Sequence, residues 1–382
     1  MTKSHHPDFS IDERFMQRAI ELAKKGRGKV EPNPMVGCVL EREGEVLGEG
    51  YHQRFGGPHA EIEAISSLPT AISARGATAY VSLEPCCHHG KTPPCTESLI
   101  QAGVRRVVFA MEDPFPKVSG GGAEQLRQAG IEVVSDVLGE QAACLNAPYM
   151  KRVRTGKPWV IAKWAMTVDG KIATRSGNSQ WITNPSSRID VHQTRSRVDG
   201  ILTGMGTVRS DNPSLNARLP SEQGAPSRVA GRVVYCRNNV PSETSKLMTS
   251  ARQIPLHLIA HPKIPESELE TAASHGARIH RITATDPNEM INESLSLLGR
   301  QGMTNVLLEA GAELLGSFSD QGAIDELHVF IGPLLFGNRD APSPIGGKGF
   351  ETLAQASQLK LHSIDQFEDD VKLTYQSKVS RK

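Results

Sequence analysis

The chain has 382 residues, of which 38% are hydrophobic and 22% are charged, and its formal net charge is +1. This length favours two domains, because single domains usually run to about 100–200 residues. A protein that binds nucleic acid or a membrane surface normally carries a basic excess, so the balanced charge argues against both classes.

The opening residues, MTKSHHPDFSIDERF, contain no apolar signal segment. No apolar run approaches the roughly 20 residues that span a bilayer. We therefore expect a cytoplasmic protein. Six cysteines are too few for a disulfide scaffold in a chain of this length. The cluster of Cys86, Cys87 and Cys95 instead suggests a metal site or catalysis.

In the first part of the chain, predicted helices alternate with predicted strands. Ser10 and Glu13 form a capping box before a helix that ends near Gly26. The elements predicted after it are a hairpin of Val36–Leu40 and Glu45–Gly48, a helix from His59 to Leu68, a strand over Thr78–Leu83, a helix with Pro94 as its first residue that runs to Gly103, and strands over Arg106–Ala110 and Ile131–Val134. This alternation predicts an α/β sheet with helices on its faces.

A domain boundary is predicted near residues 145–157, where Asn146-Ala147-Pro148 and Thr155-Gly156-Lys157-Pro158 bracket a basic stretch. We draw the domains as residues 1–147 and 148–382. The strands predicted beyond the boundary are Trp159–Ala165, Gly200–Thr203, Arg232–Cys236, Leu256–Ala260, Asn305–Leu308, Glu326–Ile331 and a late antiparallel strand over Val371–Tyr375. Residues 214–231 and 338–350 are rich in Gly, Pro and Ser and are predicted to be surface loops.

The strongest chemical signal is the triplet His59-Ala60-Glu61, which is followed by Pro85-Cys86 and then by Cys95. A catalytic zinc takes three protein ligands and a water, and one imidazole with two thiolates fills the protein share. This ordered pattern is typical of zinc nucleobase deaminases, in which the glutamate moves protons and does not bind the metal. We therefore predict His59, Cys86 and Cys95 as zinc ligands and Glu61 as the general acid and base.

The two predicted cysteine ligands are further apart than in the common C-x-x-C spacing, because CHHGKTPP separates them. Cys86 is preferred because it follows Glu84-Pro85 as the motif requires, and Cys95 because it opens a helix. The insert itself holds three rival ligands, Cys87, His88 and His89. Lys91, also in the insert, could meet a substrate phosphate or could equally be a solvated loop charge.

In the second half, the signals for phosphate binding are weaker. Gly204-Met205-Gly206 follows a strand, but Arg209 stands where the third glycine of a dinucleotide fingerprint belongs. Glu309-Ala310-Gly311-Ala312 leads from a strand into a helix and could offer backbone N–H groups to phosphate, although an ordinary turn has the same pattern. Arginines that could bind phosphate or merely face solvent gather near this predicted edge: Arg188, Arg195, Arg197, Arg209 and Arg218.

Several segments resemble the bifunctional riboflavin-biosynthesis deaminase/reductase family. In the first half they are PNPMVG at 32–37, HAE at 59–61 and EPCCHHGKTPPC at 84–95, and the long insert is part of the likeness. In the second half they are KWAMTVDGK at 163–171, SQWIT at 179–183, GMGTVRSDNPSLNAR at 204–218 and LLEAGAELLGS at 307–317. The resemblance covers nearly the whole chain and points away from cytidine and tRNA-adenosine deaminases.

This resemblance implies a cytidine-deaminase-like α/β/α domain followed by a dihydrofolate-reductase-like α/β domain that uses NADPH. Asn33 would line the pyrimidine pocket, although Asn33-Pro34 alone could be a simple turn. Residues implied to contact NADPH are Ala165, Trp181, Thr207, Asp211, Gly311, Ala312, Glu313, Leu314, Leu315, Gly316 and Ser317. Residues implied to contact the phosphoribosyl substrate are Ser179, Arg195, Leu215, Arg218 and Glu309. Asp211 lies where a group that polarises the sugar carbon could sit.

The implied chemistry has two steps on small phosphoribosylaminopyrimidine substrates. The first hydrolyses the 2-amino group of 2,5-diamino-6-(5-phosphoribosylamino)pyrimidin-4(3H)-one. The second transfers hydride from NADPH to C1 of the ribosyl group, in its ring-opened carbonyl or imine form, and leaves a ribityl chain. No nucleic-acid or membrane partner is expected, and a homo-oligomer is allowed.

Two alternatives remain open at this point. The first is a nucleic-acid-editing zinc deaminase with a non-catalytic C-terminal domain, which the net charge and the 5% aromatic content disfavour. The second is a C-terminal half that serves only as a scaffold for oligomerisation. The site-like segments at 204–218 and 307–317 disfavour that alternative.

Overall fold

The computed structural model describes residues 10–88, 93–115 and 119–377. The chain forms two compact units, and the division falls between Thr155 and Gly156. The sequence places the boundary earlier, at 147/148, because Pro148 resembles a linker residue. In the structure a helix covers Ala147–Thr155 and belongs to the first unit. Within the described ranges, no helix is both long and apolar enough to cross a membrane.

The first unit is a five-stranded sheet with helices on both faces. Its elements are α1 (Ile11–Lys24), β1 (Gly37–Arg42), β2 (Glu45–Tyr51), α2 (Ala60–Ser66), β3 (Thr78–Val81), α3 (Cys95–Ala102), β4 (Arg106–Phe109), α4 (Gly121–Gln128), β5 (Glu132–Val134), α5 (Gly139–Leu145) and α6 (Ala147–Thr155). The strand order is β2-β1-β3-β4-β5, in which β3, β4 and β5 are parallel and β1 is antiparallel to both neighbours. One core packs α1 and α5 on the sheet, and another packs α2, α3 and α4 on the opposite face.

Local sequence signals explain most element ends in this unit. The Ser10–Glu13 capping box is present at the start of α1. The hairpin turns at Glu43 and Gly44, which both adopt positive φ as a tight two-residue turn requires. Pro94 was predicted as the first helical residue, but it is the N-cap with ψ 141°, and α3 begins at Cys95. Gly103 closes α3 in the left-handed conformation.

The second unit is a nine-stranded sheet, also covered by helices. Its elements are β6 (Trp159–Thr167), α7 (Pro185–Arg195), β7 (Gly200–Gly204), α8 (Met205–Asp211), a 3₁₀ turn (Ser221–Gln223), β8 (Gly231–Cys236), α9 (Lys246–Thr249), β9 (Leu256–Ala260), α10 (Glu266–Ser274), β10 (Arg278–Arg281), α11 (Pro287–Arg300), β11 (Asn305–Leu308), α12 (Ala312–Asp320), β12 (Glu326–Gly332), β13 (Leu359–Phe367) and β14 (Asp370–Ser377). The order is β10-β9-β8-β7-β11-β6-β12-β14-β13. Helices α11 and α12 pack on one face, and α8, α9 and α10 pack on the other.

All strands predicted for the second half are present, and β14 is antiparallel as expected. Two strands were missed, and both lie at sheet edges. The short β10 has no fully buried residue. A register shift between Leu361 and Ser363 breaks the alternation of β13, and most of that strand is exposed.

The sheet topology explains why distant segments meet in the second unit. Strands β6, β7 and β11 are neighbours and run parallel. Their carboxyl ends therefore lie along one edge, which is where ligands bind in open α/β sheets. The segments that follow these three strands begin at Val168, Met205 and Glu309.

Candidate active sites

The structure brings together the three predicted metal ligands of the first unit. His59 is the N-cap of α2, Cys95 is the first residue of α3, and Cys86 lies in the loop after β3. His59 Nδ1 is 3.2 Å from Cys95 Sγ and 3.5 Å from Cys86 Sγ. All three ligand atoms lie within 4.8 Å of one another.

These distances fit a zinc ion. Zn–S bonds of about 2.3 Å and Zn–N bonds of about 2.0–2.1 Å in a tetrahedron place sulfur and nitrogen about 3.6 Å apart. The two nitrogen–sulfur distances in the structure, 3.2 and 3.5 Å, are close to that expected separation. A donor set of two thiolates and one imidazole also suits zinc and leaves the fourth position for water.

The rival ligands in the insert do not join this group in the described part of the chain. The Cys87 sulfur lies beside Gly121, where a Cβ would come within 2.9 Å of it. The His88 ring lies against Phe115, with 6.2 Å between ring centroids. His89 and Lys91 lie outside the described residues.

Glu61 stands in the first turn of α2, and only 3% of its surface is exposed. Burial raises the pKa of its carboxyl, and the nearby Cys86 adds to this effect. The hydrogen bond with Cys95 lowers the pKa of the Cys86 thiol, and the contact with His59 lowers it further. The site therefore favours a thiolate at Cys86 beside a carboxyl group that can accept and release a proton.

Sequence reasoning missed two residues that support this site. The first is His52, which is buried; its Nε2 is 3.2 Å from Asn33 Nδ2 and its Nδ1 is 2.8 Å from the carbonyl oxygen of Pro58. Its ring also packs edge-on against His59 at 5.5 Å. The predicted pocket residue Asn33 is thereby held near the imidazole of His59, a predicted metal ligand.

The second missed residue is Glu84, which is 3% exposed and lies two positions before Cys86. Its carboxylate accepts the backbone N–H groups of Asp113, Gly120 and Ala123 at 3.4, 3.0 and 3.1 Å. It therefore fixes the Pro85-Cys86 turn against the start of α4. The sequence signal that could have identified Glu84 is its position between a buried strand and a predicted metal ligand.

In the second unit, Arg195 of α7 and Glu309 after β11 form a nearly buried ion pair. Arg195 Nε and Nη2 donate to the two carboxylate oxygens at 2.7 and 2.6 Å. Burial alone would raise the pKa of Glu309, but the charge and hydrogen bonds of Arg195, with Lys163, outweigh it and hold the pKa at about 2. The pair joins two of the predicted substrate contacts, which are far apart in sequence.

Three further polar groups surround this pair. Burial lowers the pKa of Lys163, a residue on β6 that was not singled out in the sequence, although a lysine inside an apolar strand was a usable signal. Burial, Arg195 and Arg218 lower the pKa of His192 to about 4, and His192 Nδ1 accepts the N–H of Arg218 at 3.3 Å. The buried Asn216 Oδ1 accepts no hydrogen bond from the described residues.

Two groups of predicted cofactor contacts, those on α8 and at the start of α12, lie at the carboxyl ends of β7 and β11. Helices α8 and α12 begin after Gly204 and Gly311, and neither N-terminus has a side-chain cap. A Cβ on Gly311 would lie 3.9 Å from Thr207 Oγ1, so these two helix starts are adjacent. Two uncapped helix N-termini suit a pyrophosphate, since their N–H groups and dipoles favour anions.

The remaining predicted contacts differ in exposure. Trp181 is 65% exposed, and the Arg188 guanidinium lies 4.6 Å from its ring centroid. Leu215 is buried in the core, which leaves only its main chain for a substrate. The other positions follow: Ala165, Ser179, Ala312, Leu314 and Ser317 are half-buried, Leu315 and Gly316 are buried, and Asp211, Arg218, Gly311 and Glu313 are exposed.

The two units define a class: a deaminase domain of the zinc-dependent nucleobase type joined to an α/β domain with two uncapped helix starts at the carboxyl edge of its sheet. Residues 9–111 match the cytidine and deoxycytidylate deaminase zinc-binding region, and residues 158–373 match the RibD C-terminal domain. The riboflavin biosynthesis protein RibD of Actinobacillus pleuropneumoniae is 41% identical over 94% of each chain.

Solved structures give the same result. The RibD structure of Acinetobacter baumannii in form 1 is 36% identical, with a TM-score of 0.83 over 96% of this chain and 99% of that one. A diaminohydroxyphosphoribosylaminopyrimidine deaminase/5-amino-6-(5-phosphoribosylamino)uracil reductase from Thermotoga maritima is 34% identical, with a TM-score of 0.81 over 96% and 99%. The chain belongs to the RibD family of bifunctional deaminase/reductases of riboflavin biosynthesis. This confirms the resemblance, the fold class and the bifunctional assignment made from the sequence.

Proposed function

We propose that this chain deaminates 2,5-diamino-6-(5-phosphoribosylamino)pyrimidin-4(3H)-one in its first unit, which ends at Thr155, and reduces the deaminated product with NADPH in its second unit, which begins at Gly156. The observation that carries the proposal is the close group of His59, Cys86 and Cys95 beside the buried Glu61. The name of the Thermotoga relative supplies the substrates, and its likeness to this chain extends over both units.

In the deaminase step, His59, Cys86 and Cys95 would hold zinc. Zinc bound there lowers the pKa of a coordinated water to about 7 and so supplies hydroxide near neutrality. Glu61 would take a proton from the attacking water as the water oxygen bonds to the ring carbon. It would pass that proton to the amino group, whose bond to the ring carbon then breaks so that ammonia leaves and an oxo group remains. Its burial keeps the proton from bulk water, and Asn33, held by His52, orients the ring.

In the reductase step, Arg195 and Glu309 hold the sugar phosphate side of the substrate at the sheet edge. NADPH supplies hydride to C1 of the ring-opened ribosyl group. Lys163 lies on β6 beside the β11 end that carries Glu309, and burial lowers its pKa, so it would supply the accompanying proton to the atom that is double-bonded to C1 in the ring-opened form. The starts of α8 and α12 would offer N–H groups to the pyrophosphate of the cofactor, and Trp181 would contact the cofactor.

The test is Glu61→Ala, with Glu63→Ala as the control on the same helix. Glu63 accepts a hydrogen bond from Gln53 at 3.0 Å and lies away from the ligand group. Glu61→Ala should abolish ammonia release yet keep NADPH oxidation on the deaminated intermediate, whereas Glu63→Ala should keep both. Loss of both activities in a folded Glu61→Ala protein would contradict independent sites.

A further inference from the structure

The loop between β6 and α7, residues 168–184, carries Ser179 and Trp181. Its last residue, Asn184, is hydrogen-bonded to Phe367 and Asp370, and its first residues are hydrogen-bonded to the chain after β12. Val168 N donates to the carbonyl oxygen of Leu334 at 3.0 Å, and Ile172 N donates to that of Pro342 at 3.0 Å. Lys171 Nζ adds a bond to the carbonyl oxygen of Ala341 at 2.9 Å. The start of this loop is therefore joined to the chain that follows β12.

Asp169 is the centre of this junction. Its Oδ1 accepts the N–H of Phe336 at 3.2 Å and its Oδ2 accepts the N–H of Gly337 at 2.7 Å. The hydroxyl of Thr167 donates to Oδ1 at 2.5 Å and fixes the carboxylate at the end of β6. These bonds, that from Thr167 first, lower the pKa of Asp169, so the carboxylate stays charged well below neutrality.

Further along the chain that follows β12, a second aspartate holds the main chain against α12. Asp320, the last residue of α12, accepts the N–H groups of Lys348 and Gly349 at 2.8 and 3.2 Å. Gly346 N donates to the carbonyl oxygen of Ala312 at 3.0 Å. A side chain at Gly316 would overlap the main chain of Gly346, so the segment lies directly on the helix.

Residues 334–349, here called the brace, therefore connect two elements that the proposed function assigns to one cofactor. One element is the 168–184 loop with Trp181, and the other is α12 with its uncapped N-terminus. The end of the loop also touches the strand before the brace, because a side chain at Gly332 would overlap the carbonyl of Ile182. A dinucleotide that contacts both elements would span them, so its affinity would depend on their separation being set before it binds.

We propose that Asp169 and Asp320 are positioning residues for the reductase step. They pin the two ends of the brace and thereby hold the Trp181 loop and α12 at the spacing that NADPH requires. This inference rests on the proposed use of NADPH at the carboxyl edge of the sheet. Neither carboxylate takes part in hydride or proton transfer.

The test compares Asp169→Ala, Asp169→Asn and Asp320→Ala with the wild type and with Asp340→Asn. Asp340 is an exposed brace residue whose carboxylate accepts no hydrogen bond from the described residues, so it controls for charge. Amide hydrogen exchange is measured first on the full-length proteins without cofactor. Asp169→Ala should speed exchange in residues 168–172 and 334–342 about tenfold, since the loop opens more often. Asp169→Asn keeps one acceptor oxygen and should be intermediate.

The second measurement is NADPH binding by quenching of tryptophan fluorescence, together with steady-state kinetics. If the 168–184 loop of Asp169→Ala is docked on the brace in only about one molecule in ten, the apparent Kd of this variant for NADPH rises about tenfold. KM for NADPH should rise by the same factor, while kcat at saturating NADPH changes little. Asp320→Ala should likewise raise KM for NADPH with little change in kcat, and Asp340→Asn should match the wild type in both.

The possible failures can be told apart. Unchanged exchange in Asp169→Ala, or a fall in kcat with no change in KM for NADPH, would overturn the positioning role while leaving the reductase assignment intact. If the wild type itself fails to bind NADPH, the proposed reductase function fails, and with it the role of the brace toward that cofactor. The exchange measurement still shows in that case whether Asp169 pins the loop.

Discussion

Glu84→Gln should weaken the metal site although Glu84 is not a predicted ligand. The carboxylate accepts three buried N–H groups, and an amide offers only one acceptor oxygen. At least one N–H is then left unpaired, at a cost of about 1–3 kcal/mol. Loss of the negative charge at the start of α4 costs about 0.3–1 kcal/mol more. Cys86 lies two positions after Glu84. The turn that positions the Cys86 sulfur therefore becomes less rigid in this variant.

Two assays follow from this magnitude. Zinc retention in competition with a chelator should fall about tenfold to a hundredfold, as for other groups that support metal ligands. The unfolding midpoint of the first unit should fall by roughly 3–16 °C, given about 2–4 °C for each kcal/mol at this size. Glu124→Gln, on the exposed face of the first turn of α4, removes the same charge without leaving a buried N–H unpaired. It should leave zinc retention unchanged and lower the midpoint by no more than about 4 °C. Zinc retention equal to that of the wild type would refute the argument.

Three further results are expected. Arg195→Lys loses the two-point contact with Glu309, so reductase kcat/KM should fall about tenfold or more with deaminase activity unchanged, as separate rate assays will show. The pKa of Glu309 is lowered to about 2 in the folded protein, so its charged form stabilises the fold above the unfolded pKa of about 4. That stability is lost as the pH falls from about 4 toward 2. In Glu309→Gln, the free energy of unfolding measured with urea should therefore fall less steeply over this pH range. Chelation of the metal should abolish ammonia release and leave NADPH oxidation intact, and added zinc should restore the loss.

Local patterns account for what the sequence predicted well. The capping box of α1, the Glu43-Gly44 turn and the strands of the second sheet each depend on neighbouring residues, and they are present as expected. The group of His59, Cys86 and Cys95 was also accessible, because each residue stands at the end of an element and carries distinctive chemistry. Their roles as ligands stay predictions until metal is measured.

The features that the sequence did not reveal depend on long-range contacts. Glu84 was not singled out because its partners lie up to 39 positions away. Lys163 and Glu309 meet only because β6 and β11 are adjacent in the sheet. The sequence did not predict strand β13, because its register shift and exposed position remove the alternation of apolar and polar residues that is typical of a half-buried strand.

The most direct test of the central claim is a mass measurement on the purified full-length protein. The protein is incubated with 2,5-diamino-6-(5-phosphoribosylamino)pyrimidin-4(3H)-one, with and without NADPH. Without NADPH, we expect exchange of one amino group for an oxo group and release of ammonia. With NADPH, we expect that product to gain two hydrogens as the ribosyl group becomes ribityl. An unchanged substrate mass in the zinc-loaded protein would contradict the account.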